Sequence, residues 1–198
     1  EVGIVSPPLL LSAISFEMHE ILISLTLIGL LAAITAICFM KSMIYMGTIP
    51  PKLKIKNWQA PIIAGVACGL CGMFFSEILG LGTETLMSVI TNQQDIAYLL
   101  ALLIGKLILT SICIGFGFFG GTFSPALFLG GVLGALIFLL PFTSDNPDLL
   151  SVLAVSGMAA VASSVIGAPI TAIILVLELT GSYEYAIAAT FPIVLCSF

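Results

Sequence analysis

The sequence predicts an all-α protein that crosses a lipid bilayer several times. Hydrophobic residues make up 60% of the chain and charged residues only 8%, and the mean hydropathy is +1.28. Soluble domains carry roughly 25% charged residues, so a soluble protein of 198 residues could not cover its surface with so few. The net charge of −5 comes from scattered acids, and nothing in the composition suggests a nucleic-acid partner.

Glycine, proline and polar residues divide the apolar sequence into helices of unequal length. We expect helices over about 16–46, 59–79, 83–90, 96–114, 123–140, 149–163, 169–180 and 184–198. One crossing needs about 20 apolar residues, and several of these runs are shorter. Unpaired backbone at membrane depth is tolerated only where protein or a polar cavity surrounds it. The pattern therefore favours a transporter with broken and re-entrant helices over a plain helix bundle.

The first helix and the loop after it predict the orientation of the chain. Four of the five basic residues lie close together, and all five are lysines: the four are Lys41, Lys52, Lys54 and Lys56. Cytoplasmic loops carry an excess of basic residues, so loop 47–57 is expected in the cytoplasm, with Trp58 at the interface. Loop 142–148 is expected on the outer side.

Acidic residues lie at the start of the first helix. Glu17, His19 and Glu20 are interpreted as capping and interfacial groups, because acids in a first turn favour the helix dipole; a polar vestibule is the alternative. No basic leader or small-residue cleavage site is visible. Glu1 is therefore expected to begin a piece of a longer chain.

Small and polar residues predict how the middle of the chain packs. Gly65, Gly69 and Gly72 form a stripe at helical spacing, which is typical of a close helix neighbour in membranes, as are the small residues of 149–163. Glu77 is expected near an interface or a polar lumen. Thr83 or Thr85 is expected to cap the short helix that ends at about Ile90. Asp95 is expected at the start of helix 96–114.

The five cysteines, at positions 38, 68, 71, 113 and 196, all lie in apolar runs. Cys68 and Cys71 form a CxxC spacing, which is typical of redox motifs in soluble α/β chains, but their small-residue surroundings favour packing. His19 is the single histidine and has no second ligand near it, so we expect no metal. No HExxH motif and no convincing Ser/His pairing is present, so we expect neither an enzyme nor a cofactor.

Two ionisable residues interrupt apolar helices. A lysine at the bilayer centre costs roughly 2.5 to 3.5 kcal/mol on insertion scales, and such residues are functional hypotheses by default. Lys106 either raises the positive potential of an anion pathway or has a structural pairing or snorkelling role. Glu178 is either functional or makes a buried structural hydrogen bond.

The Gly-rich stretch 115–135 predicts an anion site where a helix begins. Pro125 loses no hydrogen bond in a first helical turn, and Gly120 and Gly121 are expected to adopt backbone conformations that other residues avoid. The amides of Thr122 and Phe123 then point away from the helix. A helix start carries roughly half a positive charge, and its free amides bind anions without a cationic side chain. Transporters hold anionic groups at such starts within the membrane.

Several of these motifs resemble those of the CLC chloride channels and chloride/proton exchangers. Residues 121–125 (GTFSP) resemble the GxFxP signature, and 130–134 (GGVLG) continue the match. Residues 167–172 (GAPITA) and the IILVLELTGSYEYAI that follows resemble the APLTGIILVLEMT segment, and 80–86 (GLGTETL) fit more weakly. The sequence departs at Gly167, where many bacterial relatives have arginine, and Ser124 is a common variant.

The resemblance implies a fold and a set of site residues. CLC subunits consist of two inverted halves, and residues 1–198, as a single domain, resemble the second half without the first half and the final helix. In that family the two amides after the second glycine of GGxFxP bind the central anion, which implies Thr122 and Phe123 here, flanked by Gly121 and Pro125. A basic residue is often found at the position of Lys106. The family's central serine and its gating and proton-transfer glutamates belong to the first half, and its pore tyrosine would follow Phe198.

The implied function is chloride transport, as a channel or as a proton-coupled antiporter. The implied partners are chloride or a similar small anion, protons in an exchanger, the lipid bilayer, and a second copy of the chain. The homodimer interface would use the first helix and the helices after Ile166, and the implied location is the bacterial inner membrane. A structural or dimerisation segment that does not transport by itself is the alternative.

Overall fold

A computed structural model describes residues 18–56, 58–80, 82–91, 94–118, 120–140 and 147–197. Every regular element within these ranges is helical, which confirms the all-α prediction. In chain order the helices are α1 (Met18–Gly47), α2 (Ile49–Lys52), α3 (Gln59–Phe74), α4 (Thr83–Thr91), α5 (Ile96–Gly115), α6 (Phe123–Phe138), α7 (Pro147–Ile166), α8 (Pro169–Thr180) and α9 (Tyr183–Ser197). A 3₁₀ turn, Ser76–Ile78, lies between α3 and α4.

The helices fall into two length classes. Within the described ranges, three segments are long and apolar enough to cross a membrane: Ile21–Lys52, Ile96–Gly115 and Asp148–Ile166. The other apolar helices are shorter, and α6, at 16 residues, covers only about 24 Å at 1.5 Å per residue, against a hydrocarbon core of about 30 Å. Because these helices are shorter than the hydrocarbon core is thick, they begin or end within the membrane, as predicted.

The closest helix packing is between α6 and α7. A Cβ atom added at Gly130 would overlap the carbonyl of Gly157, and one added at Gly134 would overlap the backbone of Leu153. Both helices are largely buried, and Gly130, Gly134 and Gly157 are all inaccessible to solvent. The small residues predicted for tight packing in α7 therefore let the two backbones touch, which holds α6 firmly against the centre of the chain.

Helices α1 and α9 complete the packing around α7. The Cys196 thiol in α9 donates a hydrogen bond to the Ala160 carbonyl in α7 at 3.2 Å. On the other side of α9, a Cβ atom at Gly29 of α1 would come within 2.9 Å of the Leu195 Cβ. The result is a core of three helices on which α8 packs through Ala172 and Val176, both of which are buried.

The predicted helix 59–79 is wrong over its last part, 75–79, because the helix ends at Phe74 and the chain turns at Phe75 (φ −140°, ψ 79°). The 3₁₀ turn then brings Leu79 back onto α3, where a Cβ at Gly72 would overlap the Leu79 side chain. Gly72 therefore leaves the space that the Leu79 side chain occupies. The prediction that a neighbouring helix packs against Gly69 is wrong within the described residues. Gly69 is exposed, and an added Cβ would have nothing within 4 Å.

The predicted starts of α4 and α5 differ in their outcome. Gly82, not a threonine, precedes α4, and its carbonyl accepts the Leu86 amide at 2.8 Å. Thr83 is the first residue of the helix, and the Thr85 hydroxyl instead donates to the Glu77 carbonyl at 3.5 Å. Asp95 is the N-cap of α5 as predicted, but its side chain makes no capping hydrogen bond.

Helix α7 begins earlier than predicted. Pro147 and Asp148, expected in an outer loop, form its first turn, where proline is favoured because its missing amide proton has no helical partner. The predicted chain entry and acidic groups 1–17, and the rest of loop 142–146, lie outside the described residues. His19 and Glu20 belong to the first turn of α1.

Candidate anion site

A Gly-rich turn connects α5 to the start of α6. After α5 the Phe118 amide donates to the Cys113 carbonyl at 3.0 Å, and Gly117 has a φ of 95°, which favours glycine. The expected special conformations of Gly120 and Gly121 are wrong, because neither has a positive φ. Both are exposed, and a Cβ added to either would meet nothing within 4 Å. Their lack of side chains keeps the space before α6 open.

Helix α6 begins at Phe123, as the sequence predicts. Thr122 is the N-cap residue, and its carbonyl accepts the Ala126 amide at 3.1 Å, but its side chain makes no capping hydrogen bond. Within the described part of the chain, no acceptor is found for the amides of Thr122, Phe123 and Ser124. Unpaired donors at a helix start are available to an anion.

A cavity of about 180 Å³ adjoins this helix start. Its wall contains Phe118, Gly120, Gly121 and Pro125 from the turn and the first turn of α6. The remaining lining residues come from α3, α5 and the segment between α3 and α4; those used below are Cys68, Ile78, Gly80, Lys106 and Cys113. The structure thus brings Lys106 and two of the predicted anion-site residues to one cavity.

Lys106 is 3% exposed in α5. Its ammonium group donates to the carbonyls of Ile78 at 2.9 Å and Gly80 at 2.7 Å, and it lies 4.9 Å from the centroid of the Phe128 ring. Snorkelling toward the interface, one of the predicted alternatives, is therefore wrong. Among the residues described, no carboxylate pairs with Lys106, and its hydrogen-bond acceptors are the two carbonyls, with the aromatic ring beside them.

The second proline-led helix, α8, begins as predicted at Pro169, after Gly167 with φ 73°. Glu178 near its end is exposed in the single chain, so nothing within the described residues buries this carboxylate, and the expected buried hydrogen bond stays a prediction for the assembled protein. Ile170, Ile174 and Glu178 follow one another at intervals of four residues and so share one face of the helix. Both isoleucines are also exposed, at 72% and 57%. Glu178 therefore lies on the face of α8 that no other described helix covers.

Glu77 lies where the sequence predicts, beside a polar space. It is exposed in the 3₁₀ turn and lines a hollow of about 380 Å³ together with Ser76, Thr83, Glu84 and Thr85. This hollow lies next to the segment that Lys106 holds through the Ile78 and Gly80 carbonyls. The polar surroundings explain why a carboxylate is tolerated there.

Two wall residues of the anion cavity were not predicted, Cys68 and Cys113. Cys113 follows Lys106 by seven residues, two helical turns, so the sequence does place both on one face of α5. Cys68 approaches this face from α3 only through the tertiary fold. No sequence pattern links it to Cys113.

These features define a polytopic membrane protein with an unpaired helix start and a buried cation beside a common cavity, the arrangement of an anion transport protein. A family profile described as "Voltage gated chloride channel" matches residues 5–198. The chain belongs to this chloride channel family, the CLC family, whose members are transport proteins and not enzymes.

Curated relatives give the same family. The chain is 35% identical over 126 residues to the "H(+)/Cl(-) exchange transporter ClcA" of Vibrio parahaemolyticus. The aligned region covers 61% of this chain and 26% of the relative. It is 33% identical over 135 residues to the protein of the same description from Klebsiella pneumoniae (strain 342), with coverage of 66% and 28%. The chain thus spans little more than a quarter of the length of these relatives.

Two solved structures share the fold. A "CLC-type fluoride/proton antiporter" superposes with a TM-score of 0.79 at 22% identity, over 94% of this chain and 45% of that one. A "slow cyanobacterial Cl-/H+ antiporter" superposes with a TM-score of 0.66 at 24% identity, over 90% and 42%. The fold of the chain is therefore that of somewhat less than half of a CLC transporter subunit.

Proposed function

We propose that this chain forms one wall of a chloride pathway and holds the anion at the start of α6. The amides of Thr122 and Phe123 would bind the ion, with Gly121 leaving room for it and Pro125 fixing the first helical turn. The observation that carries this proposal is that the amides of Thr122 and Phe123 have no acceptor among the described residues, while Gly121 and Pro125 on either side of them line the 180 Å³ cavity. The positive end of α6 adds to their attraction, and binding stays weak enough for release because no side chain closes the site.

Lys106 adds long-range attraction to this site. Its ammonium group lines the same cavity as Gly120 and Gly121 and has no carboxylate partner in the described segments. A buried charge is poorly screened by salt, so it raises the positive potential that a chloride ion meets as it approaches α6. Its two backbone acceptors also hold the segment between α3 and α4 in place, so one residue supports both the potential and the shape of the cavity.

The complete pathway requires elements beyond this chain. We propose that residues 1–198 form the second half of a CLC membrane domain, whose other half supplies the remaining anion ligands and the proton-transfer groups. The activity by which the relatives are named, exchange of protons for chloride, favours proton-coupled exchange over a channel mechanism. The membrane would be a bacterial inner membrane.

A homodimer is the proposed assembly. Large apolar side chains on α8 and α9 are exposed, among them Ile170 at 72% and Ile187 at 73%. A second copy of the chain would cover this face together with part of α1. The alternative is a segment that supports the dimer and contributes no anion ligand. The same exposed face favours it, but such a segment would have no affinity for chloride.

Chloride efflux from liposomes that contain the intact protein, recorded together with external pH, tests the proposal. Stoichiometric opposed proton movement identifies an exchanger, and chloride movement without protons identifies a channel. The decisive variant is Gly121→Leu, because an added side chain meets no atom within 4 Å of its Cβ and so fills the site without disturbing the fold. Gly69→Leu, at an exposed glycine with equally free surroundings, is the matched control.

We expect Gly121→Leu to abolish chloride efflux and Gly69→Leu to retain it. Unchanged efflux through Gly121→Leu would show that the anion does not pass this helix start. No chloride movement by the unmodified protein, together with no measurable chloride binding, would favour the supporting segment.

A further inference from the structure

Two thiols from different helices lie in the wall of the anion cavity. Cys68 belongs to α3 and Cys113 to α5, and both line the cavity together with Lys106, Gly120 and Gly121. Both are partly accessible and neither is in a disulfide. A small reagent that reaches the anion site would therefore also reach these sulfur atoms.

The two thiols contact each other. The side chains of Cys113 and Cys68 interact directly through a hydrogen bond between their thiols. Cys71 is also near Cys113, but it is exposed and lines a separate apolar groove between α3 and α5. The pair in the cavity is thus Cys68 with Cys113, and not the CxxC pair that the sequence suggests.

Lys106 lies beside this pair. Its ammonium group is close enough to Cys68 for the two to interact electrostatically. The thiolate is the form of cysteine that attacks a disulfide. First attack by Cys68 and first attack by Cys113 lead to the same disulfide.

We propose that Cys68 and Cys113 form a reversible dithiol–disulfide site in the wall of the anion cavity, which small disulfide oxidants convert to a bond between α3 and α5 that slows anion passage. The effect on passage rests on the proposed function. The formation of the bond does not depend on it.

The oxidation balances as two successive exchange steps. In one of the two orders, the Cys68 thiolate attacks one sulfur of a small disulfide, forms a mixed disulfide and releases one thiolate. The Cys113 thiolate then attacks the Cys68 sulfur and releases the second. The two protein thiols lose two electrons, the small disulfide gains them, and the two protons from the cysteines end on the two released thiols.

A disulfide between Cys68 and Cys113 would narrow the cavity, because the bonded sulfur atoms lie closer together than two free thiols. Its sulfur atoms are about 2.05 Å apart, closer than two thiols in contact, so the bond draws the α3 and α5 walls together. A cavity of 180 Å³ holds only roughly six water molecules at about 30 Å³ each. A partly hydrated anion nearly fills such a space, so a small inward shift of one wall impedes it.

The test uses the intact protein in liposomes and hydroxyethyl disulfide as the oxidant. After oxidation, free thiols are blocked with N-ethylmaleimide and the disulfides are mapped by mass spectrometry without reduction; chloride efflux is recorded on the same liposomes before oxidation, after it, and after a phosphine reductant. The variants are Cys68→Ser and Cys113→Ala, with Cys71→Ser as the matched control.

We expect a disulfide that joins Cys68 to Cys113, a severalfold loss of efflux, and full recovery on reduction. Cys71→Ser should respond like the unmodified protein, whereas Cys68→Ser and Cys113→Ala should form no disulfide between positions 68 and 113; a mixed disulfide with the oxidant on the remaining cysteine is mapped separately. A Cys68–Cys71 disulfide, or no disulfide, would overturn the site. A Cys68–Cys113 disulfide with unchanged efflux would overturn its link to anion passage. Failure of the reduced protein to move chloride would instead count against the proposed function, while the mapped bond would still decide the site.

Discussion

The ammonium group of Lys106 donates a 2.7 Å hydrogen bond to the carbonyl of Gly80, 26 residues earlier in the chain. With a second bond to Ile78 at 2.9 Å, it connects the middle of α5 to the segment that reverses direction after α3. The buried cation therefore has a structural partner and also lines the anion cavity. These two roles can be separated by substitution.

Replacement of Lys106 by methionine is expected to weaken chloride binding severalfold and to destabilise the fold. Methionine keeps the length and apolar stem but leaves two carbonyls without their donor, at about 1 to 3 kcal/mol for an unsatisfied buried group, offset in part by removal of a buried charge. Calorimetric chloride titration and thermal unfolding in detergent measure both effects. Lys41→Met, at an exposed lysine in α1, is the control and should change neither; equal chloride affinity in both variants would exclude Lys106 from the site.

Thr122 allows the backbone role of the site to be tested directly. Thr122→Ala keeps the amide proton and removes only a side chain that makes no capping bond, so chloride affinity should stay the same. Thr122→Pro removes the amide proton. Its φ of −83° is near the proline value of about −65°, and the preceding residue is glycine, so the helix start should persist.

We expect Thr122→Pro to bind chloride at least about tenfold more weakly, since a lost hydrogen bond to a charged group costs about 1.5 to 3 kcal/mol. Equilibrium binding of chloride or bromide measures the difference, and circular dichroism checks that the helix content is retained. If Thr122→Pro binds as tightly as Thr122→Ala, this amide is not an anion ligand.

Gly130→Ala is expected to destabilise the protein by about 1 to 3 kcal/mol, the usual cost of overpacking. The added methyl group would overlap the Gly157 carbonyl in α7, a backbone atom that cannot move aside alone. Gly69→Ala is the matched control, because α3 has free space there and alanine is favoured over glycine in a helix by about 0.5 to 1 kcal/mol. Unfolding midpoints of both variants in the same detergent give the comparison, and a midpoint for Gly130→Ala at or above that of the unmodified protein would contradict the close packing.

The proposed dimer predicts a specific effect of bulk on α9. Ile187→Trp adds volume at a position that is 73% exposed and should shift the protein from dimer to monomer if a second copy packs there. Ile23→Trp, on the exposed side of α1 at 52%, tests the part of the interface assigned to the first helix. Light scattering of the detergent-solubilised protein measures the mass; a stable dimer in both variants would assign these faces to lipid.

Local sequence signals predicted the start of α6 and the restart at Pro169, because proline and the residues around it act within one helical turn. The same signals did not predict the end of α3 at Phe74, which depends on Leu79 folding back onto Gly72. Nor did they identify the partners of Lys106, because backbone carbonyls carry no residue identity and so leave no pattern in the sequence.

The wrong expectation for Gly121 was based on residue type alone, because glycine is a common source of unusual backbone angles. In the folded chain this glycine instead provides empty space. Whether a glycine supplies an unusual backbone angle or empty space depends on the residues that surround it in the folded chain.

The backbone contact between α6 and α7 has a mechanical consequence. Where side chains separate two helices, the helices can slide as rotamers change, but the carbonyl of Gly157 lies directly against Gly130 with no flexible layer between them. Helix α6 therefore moves only with α7, as one rigid piece, and the helix start at Phe123 is a fixed reference point. Under the proposed function, a gating motion must therefore move other parts of the protein toward or away from this point.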